Sequence, residues 1–161
     1  MKISRFLIML GIVSLFGGQS LFAQEKKEEK ARLIKELIDA GNYTIDVDRA
    51  LPMSGRSVNL TSSYSVEIKG DSIYSHLPYY GRAYSVPYGG GSGLMFKEPV
   101  TDYKMAYDKK DKATITFTSR SDEDRYEFRI EVYLNGTATI FVQPVNRQSI
   151  TYHGDILLKE E

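Results

Sequence analysis

The residues best suited to chemistry gather in one stretch, Leu77 to Phe96. It holds Tyr79, Tyr80, Tyr84 and Tyr88, four of the chain's twelve tyrosines, with Arg82 among them and Met95 and Phe96 at its end. A tyrosine joins an apolar ring to a hydroxyl, which suits ligand and partner surfaces. A guanidinium inside such a cluster can hold an anion or stack on a ring. Two prolines and five glycines in the same stretch fit neither a regular helix nor a long strand. The chemistry these residues offer is recognition. The rings, with Met95 and Phe96, would line a site for a small apolar or amphipathic ligand, and Arg82 would meet its polar head. Arg147, in the polar corner Asn146-Arg147-Gln148, is a second candidate for that head group. The competing reading is structural: the tyrosines plug the mouth of a β domain and Arg82 is paired there.

Other chemistries fail on spacing. A phosphate-binding loop needs Lys followed by Ser or Thr at its end, opening a helix; here Gly93 leads to Leu94-Met95-Phe96, and Lys97 precedes Glu98-Pro99. Asp46 and Asp48 share the polar face of one strand, but two carboxylates fall short of the six to eight oxygens calcium takes. His76 and His153 are the only histidines. Neither has a nucleophile or a second ligand at a recognisable spacing, so a hydrolase built on one of them is the weakest reading. Asp122, Glu123 and Asp124 fall in a turn, where acids are ordinary. We expect no catalytic residue, no metal site and no cofactor.

Around this stretch the chain alternates. From Gln24 to about Ala40, Ala31, Ile34, Leu37 and Ile38 fall on one helical face, and Gly41 supplies a left-handed C-cap. The period then drops to two: Tyr43, Ile45 and Val47; Tyr64, Val66 and Ile68; Ser72 to Leu77; Leu94 to Lys97; Asp102 to Tyr107; Ala113, Ile115 and Phe117; Tyr126, Phe128, Ile130, Val132 and Leu134; Ala138, Ile140 and Val142; and Ile150 to Leu158. Gly70-Asp71 and Asn135-Gly136 read as hairpin turns, the second as type I′. Eight to nine strands joined mostly by short turns form an antiparallel meander, apolar inside and polar outside. The expected fold is all-β with one N-terminal helix, a lipocalin-like barrel or half-barrel that removes its own edges, with a two-sheet sandwich as the alternative.

Lys2 and Arg5 precede an apolar run, Phe6 to Phe16, closed by Gly17-Gly18, the pattern of an export signal. The run is too short for a membrane span of about 20 residues. The expected organisation is a signal peptide over 1–23, a helix over 24–41 and a single β domain over 42–161. The chain has no cysteine, so disulfides, thiolate metal sites, a cysteine nucleophile and a lipidated N-terminal cysteine are all excluded. The 21 bases and 21 acids balance, and removing the signal takes away two bases, leaving a charge of −2. Nothing in that balance serves nucleic acid or an anionic membrane. The expectation is a periplasmic or secreted protein without a membrane anchor, whose partner is a small ligand or, alternatively, another envelope protein.

The block Leu77-Pro78-Tyr79-Tyr80-Gly81-Arg82-Ala83-Tyr84, with Gly70-Asp71-Ser72 before it and Asn146-Arg147-Gln148-Ser149-Ile150, Tyr152 and Gly154 after it, resembles the domain-of-unknown-function 4251 family of small exported bacterial proteins. The resemblance runs from about Ala31 to Leu158. It implies a one-domain bacterial cell-envelope protein and brings no activity and no catalytic residue with it.

Overall fold

A computed structural model describes residues 23–85, 93–109 and 112–158. The expected signal segment lies outside them, except for Ala23, and so does Tyr88. Helix α1 covers residues 23–39. Eight strands follow: β1 (Asn42–Pro52), β2 (Val58–Lys69), β3 (Ser72–Leu77), β4 (Leu94–Tyr107), β5 (Ala113–Arg120), β6 (Arg125–Val132), β7 (Thr137–Pro144) and β8 (Ile150–Ile156). Each pairs antiparallel with the next, and β1 pairs with β8, so the sheet closes into a barrel. Closure distinguishes it from both the half-barrel and the sandwich. The alternation read from the sequence sets the two faces: Tyr126, Phe128, Ile130 and Val132 of β6 are buried, while Arg125, Glu127 and Arg129 are exposed.

Stacked rings occupy the barrel interior. Phe96 lies on Tyr126 with centroids 4.6 Å apart and Phe117 on Phe128 at 5.0 Å, and the partly exposed Tyr103 stacks on Phe117 at 6.2 Å. Tyr152, Ile45, Ile68, Ile115 and Leu94 complete this core with essentially no exposed surface.

A meander sends alternate connections to opposite ends. The β1–β2, β3–β4, β5–β6 and β7–β8 connections share one end, here called the loop end. The helix end carries the other turns and α1. Ile34 and Ile38 of α1 are buried there, and the Tyr107 hydroxyl donates to Asp39 at 2.7 Å. Gly41, at φ 64°, turns the helix into β1; its N–H donates to Ile38 O, and its own carbonyl accepts from Gly70 N–H.

Three local expectations need correction. Leu94–Lys97 and Asp102–Tyr107 belong to one strand, because Pro99 sits where β3 ends and the break falls instead at a bulge between Thr101 and Lys104, with Asp102 at φ 55°. The β2 strand begins at Val58, six residues before its regular alternation, because a register shift opposite Val47–Arg49 disrupts the pattern. Only Gly136 of the Asn135-Gly136 turn has a positive φ, 103°. Gly136 N–H donates to Tyr133 O and Tyr133 N–H to Thr137 O, so the connection is a longer loop than type I′, closed by a left-handed glycine.

Candidate functional site

The loop end brings the aromatic stretch and the Asn146-Arg147-Gln148 corner together. Ala83 and Arg147 form an antiparallel bridge. Tyr84 N–H donates to Asn146 O at 2.7 Å, and Ser85 N–H to the same oxygen at 3.3 Å. Gln148 N–H donates to Arg82 O at 2.9 Å, and Arg82 N–H to Gln148 Oε1 at 3.2 Å. The Tyr79 hydroxyl donates chiefly to Gln148 O at 2.8 Å. The stretch is therefore stitched, over Tyr79 to Ser85, to a second loop more than sixty residues away in sequence.

Arg147 is the anchor. Its side chain is 6% exposed, and its guanidinium lies 5.5 Å from the Tyr79 ring centroid. Nη2 pairs with Glu123 at 2.8 Å, and Nη1 donates to Gly93 O at 3.1 Å, at the far end of the same loop. Its Nε is buried without a hydrogen-bond partner among the described residues. Asp124, buried in the β5–β6 turn, accepts from Asn146 N–H and Nδ2 and from Arg125 N–H. From below, the Tyr152 hydroxyl donates to Pro78 O at 2.7 Å. Burial raises the pKa of Tyr79, of Tyr126 and most strongly of Tyr152, so the neutral hydroxyl is the form that donates.

The candidate residues divide into three groups. Tyr79 and Arg147 belong to the anchor. Tyr80, Arg82 and Tyr84 are exposed on the outside of the stitched loop, Tyr80 by 37% and Tyr84 by 70%; it is the Arg82 backbone, not its side chain, that pairs with the corner. Met95 and Phe96 part company, because consecutive strand residues face opposite ways: Met95 is exposed opposite His76, whereas Phe96 points into the barrel onto Tyr126. Among the described residues, the candidates therefore do not share one face. A groove of about 660 Å³, lined by Leu37, Tyr43, Ile68 and Leu157 among others, opens at the helix end instead.

Sequence reasoning missed Glu123, Asp124 and Tyr152. The two acids looked like ordinary turn residues, although the meander order already places the β5–β6 turn at the same end as Arg147. Tyr152 was read as a strand position and as part of the family resemblance, with no role at the loop. Of the other candidates, Asp46 and Asp48 are exposed. His76 is exposed and stacked on Tyr64 at 5.6 Å, and His153 is exposed between Arg49 and Thr139. Neither histidine pairs with a carboxylate among the described residues. No cluster of three or more potential metal ligands occurs among them.

A family described as a domain of unknown function (DUF4251) matches residues 25–156. The crystal structure of a DUF4251 family protein from Bacteroides eggerthii is similar, with a TM-score of 0.61 and 16% identity, over 80% of this chain and 87% of that one. At that identity the likeness shows a shared fold. No curated protein matches the chain.

Proposed function

The chain belongs to the DUF4251 family, and from that membership and the stitched loop we propose a non-enzymatic interaction module of the bacterial cell envelope. Exported and unanchored, it would bind a protein partner through Tyr80, Arg82 and Tyr84. One observation carries this reading: Tyr84 is 70% exposed although the backbone on both sides of it is hydrogen-bonded to the corner. Exposed rings on a fixed backbone lose little freedom on binding, which favours affinity. The filled barrel interior argues against a ligand held inside it. The helix-end groove keeps a second reading alive, a small amphipathic ligand bound beside Leu37 and Ile68 rather than at the tyrosines.

Native mass spectrometry of protein purified from the envelope without detergent separates the two. The interaction module predicts the bare chain mass, or that mass plus a protein. A small added mass that disappears on denaturation would overturn it in favour of a ligand carrier.

A further inference from the structure

Among the described residues, β4 outruns its β3 neighbour at the helix end, as the first half of β2 outruns β3 at the loop end. Strand β3 pairs with β4 only from Leu94 to Pro99, because the β2–β3 turn at Gly70-Asp71 ends there. Strand β4 continues to Tyr107 with β5 on one side and, among the described residues, no strand on the other. Thr101 to Ala106 are all exposed.

The ladder to β5 fixes which groups are free. Asp108 N–H donates to Lys112 O at 3.0 Å, and antiparallel bonding alternates along a strand. Lys104 and Ala106 therefore direct their backbone groups to β5, while Met105 and Tyr107 direct theirs to the open edge. Tyr103, Met105 and Tyr107 lie on the barrel-facing side of β4: Met105 pairs with buried Ile115, Tyr107 pairs with buried Ala113, and Tyr103 stacks on Phe117. Even so, Tyr103 is 39% and Met105 36% exposed. Tyr103 and Met105 thus border a hydrogen-bonding edge that carries no strand among the described residues, while α1 holds the Tyr107 side chain through Asp39 at 2.7 Å and places Lys35 over its ring; such an edge accepts an added strand.

We propose that this edge pairs with the same edge of a second copy, antiparallel about a two-fold axis through Met105. The segment Tyr103-Lys104-Met105-Ala106-Tyr107 is its own complement. In that register Met105 faces its counterpart, Tyr103 faces Tyr107, and Lys104 faces Ala106, so no lysine meets a lysine. The Thr101–Lys104 bulge, with Asp102 at φ 55°, ends the pairing on one side, and the β4–β5 turn ends it on the other. An isologous contact uses both edges and closes at two copies. Five residues a side is less than a standard interface, so the dimer is weak and concentration-dependent.

Sedimentation velocity over rising protein concentration tests this directly. Wild type should shift from monomer towards dimer. Met105→Pro removes an edge N–H without touching the β5 ladder and should weaken the dimer by about tenfold or more. Met105→Cys places the sole thiol of a cysteine-free chain on the two-fold axis, where facing Cα atoms about 5.5 Å apart suit a disulfide. Mild oxidation should give a covalent dimer, whereas Met53→Cys, 61% exposed at the loop end, stays monomeric. A wild type that remains monomeric, with Met105→Cys cross-linking no faster than Met53→Cys, would overturn the proposal. So would a dimer that Met105→Pro leaves unchanged.

Discussion

Replacing Arg147 with Met should loosen the loop end and cost measurable stability. The substitution keeps much of the packing against Tyr79 and removes the charge. Two hydrogen bonds of the guanidinium are lost, to Glu123 at 2.8 Å and to Gly93 O at 3.1 Å. Bonds to charged groups contribute roughly 1.5–3 kcal/mol each. Two effects reduce their sum. The Glu123 side chain is 24% exposed, so water can take the place of Arg147 at its carboxylate. The buried Nε has no partner among the described residues, so deleting it removes a desolvation cost of about 1–3 kcal/mol. A net loss of about 2–3 kcal/mol remains. With a urea dependence of about 2 kcal/mol/M, the unfolding midpoint should fall by about 1–1.5 M at unchanged slope. Arg147→Lys should fall between the variant and wild type, because it keeps a charge near Glu123 but not the fork. Hydrogen exchange at Tyr84, Ser85 and Gln148 should accelerate in both variants before global unfolding. A midpoint within about 0.5 M of wild type, with those three amides still protected, would refute the anchoring role of Arg147.

Further outcomes follow from the same contacts. Tyr152→Phe leaves the Pro78 carbonyl without its donor and should cost about 1–2 kcal/mol in urea unfolding, with faster exchange confined to the start of the loop. At Gly154 an added Cβ would overlap the Asp46 carbonyl oxygen across the β1–β8 seam, so Gly154→Ala should destabilise by about 1–3 kcal/mol or more; a neutral result would show that the seam can widen freely. Burial raises the phenol pKa of Tyr43, Tyr107 and Tyr152 in the fold, with Asp39 adding to the rise at Tyr107. Above about pH 10 the unfolded chain gives up these protons while the folded one keeps them. Stability is then flat below that pH and falls as pH rises past it. The phenolate absorbance of these three tyrosines should accordingly appear together with loss of structure rather than before it.

Where one face of an element is buried, periodicity made the fold legible. The alternation of Tyr126, Phe128 and Ile130 gave β6, and the change of period after Gly41 marked the end of the helix. Alternation failed where tertiary geometry overrides it: at the bulge near Asp102, where β4 loses its β3 neighbour, and in the first half of β2. The aromatic stretch and the Asn-Arg-Gln corner could be singled out by composition, because Tyr, Gly, Pro and Arg rarely mix in regular strands. Their hydrogen bonding could not be read, since it depends on backbone groups such as Asn146 O and Arg82 O that carry no side-chain signature. Met95 and Phe96 show the same limit in reverse. Their types suggested a shared pocket, and the pleat sends them to opposite faces.

The most direct test of the central claim is site-specific photocross-linking in the living host. A benzophenone amino acid at position 84 would be compared with one at exposed Met53, also at the loop end, and with one at exposed Leu33 on the helix. The account predicts a discrete protein adduct at position 84 that is absent at Leu33, weaker at Met53, and lost when Arg147→Met releases the loop. Equal adducts at all three positions, or an adduct at position 84 that survives Arg147→Met unchanged, would contradict it.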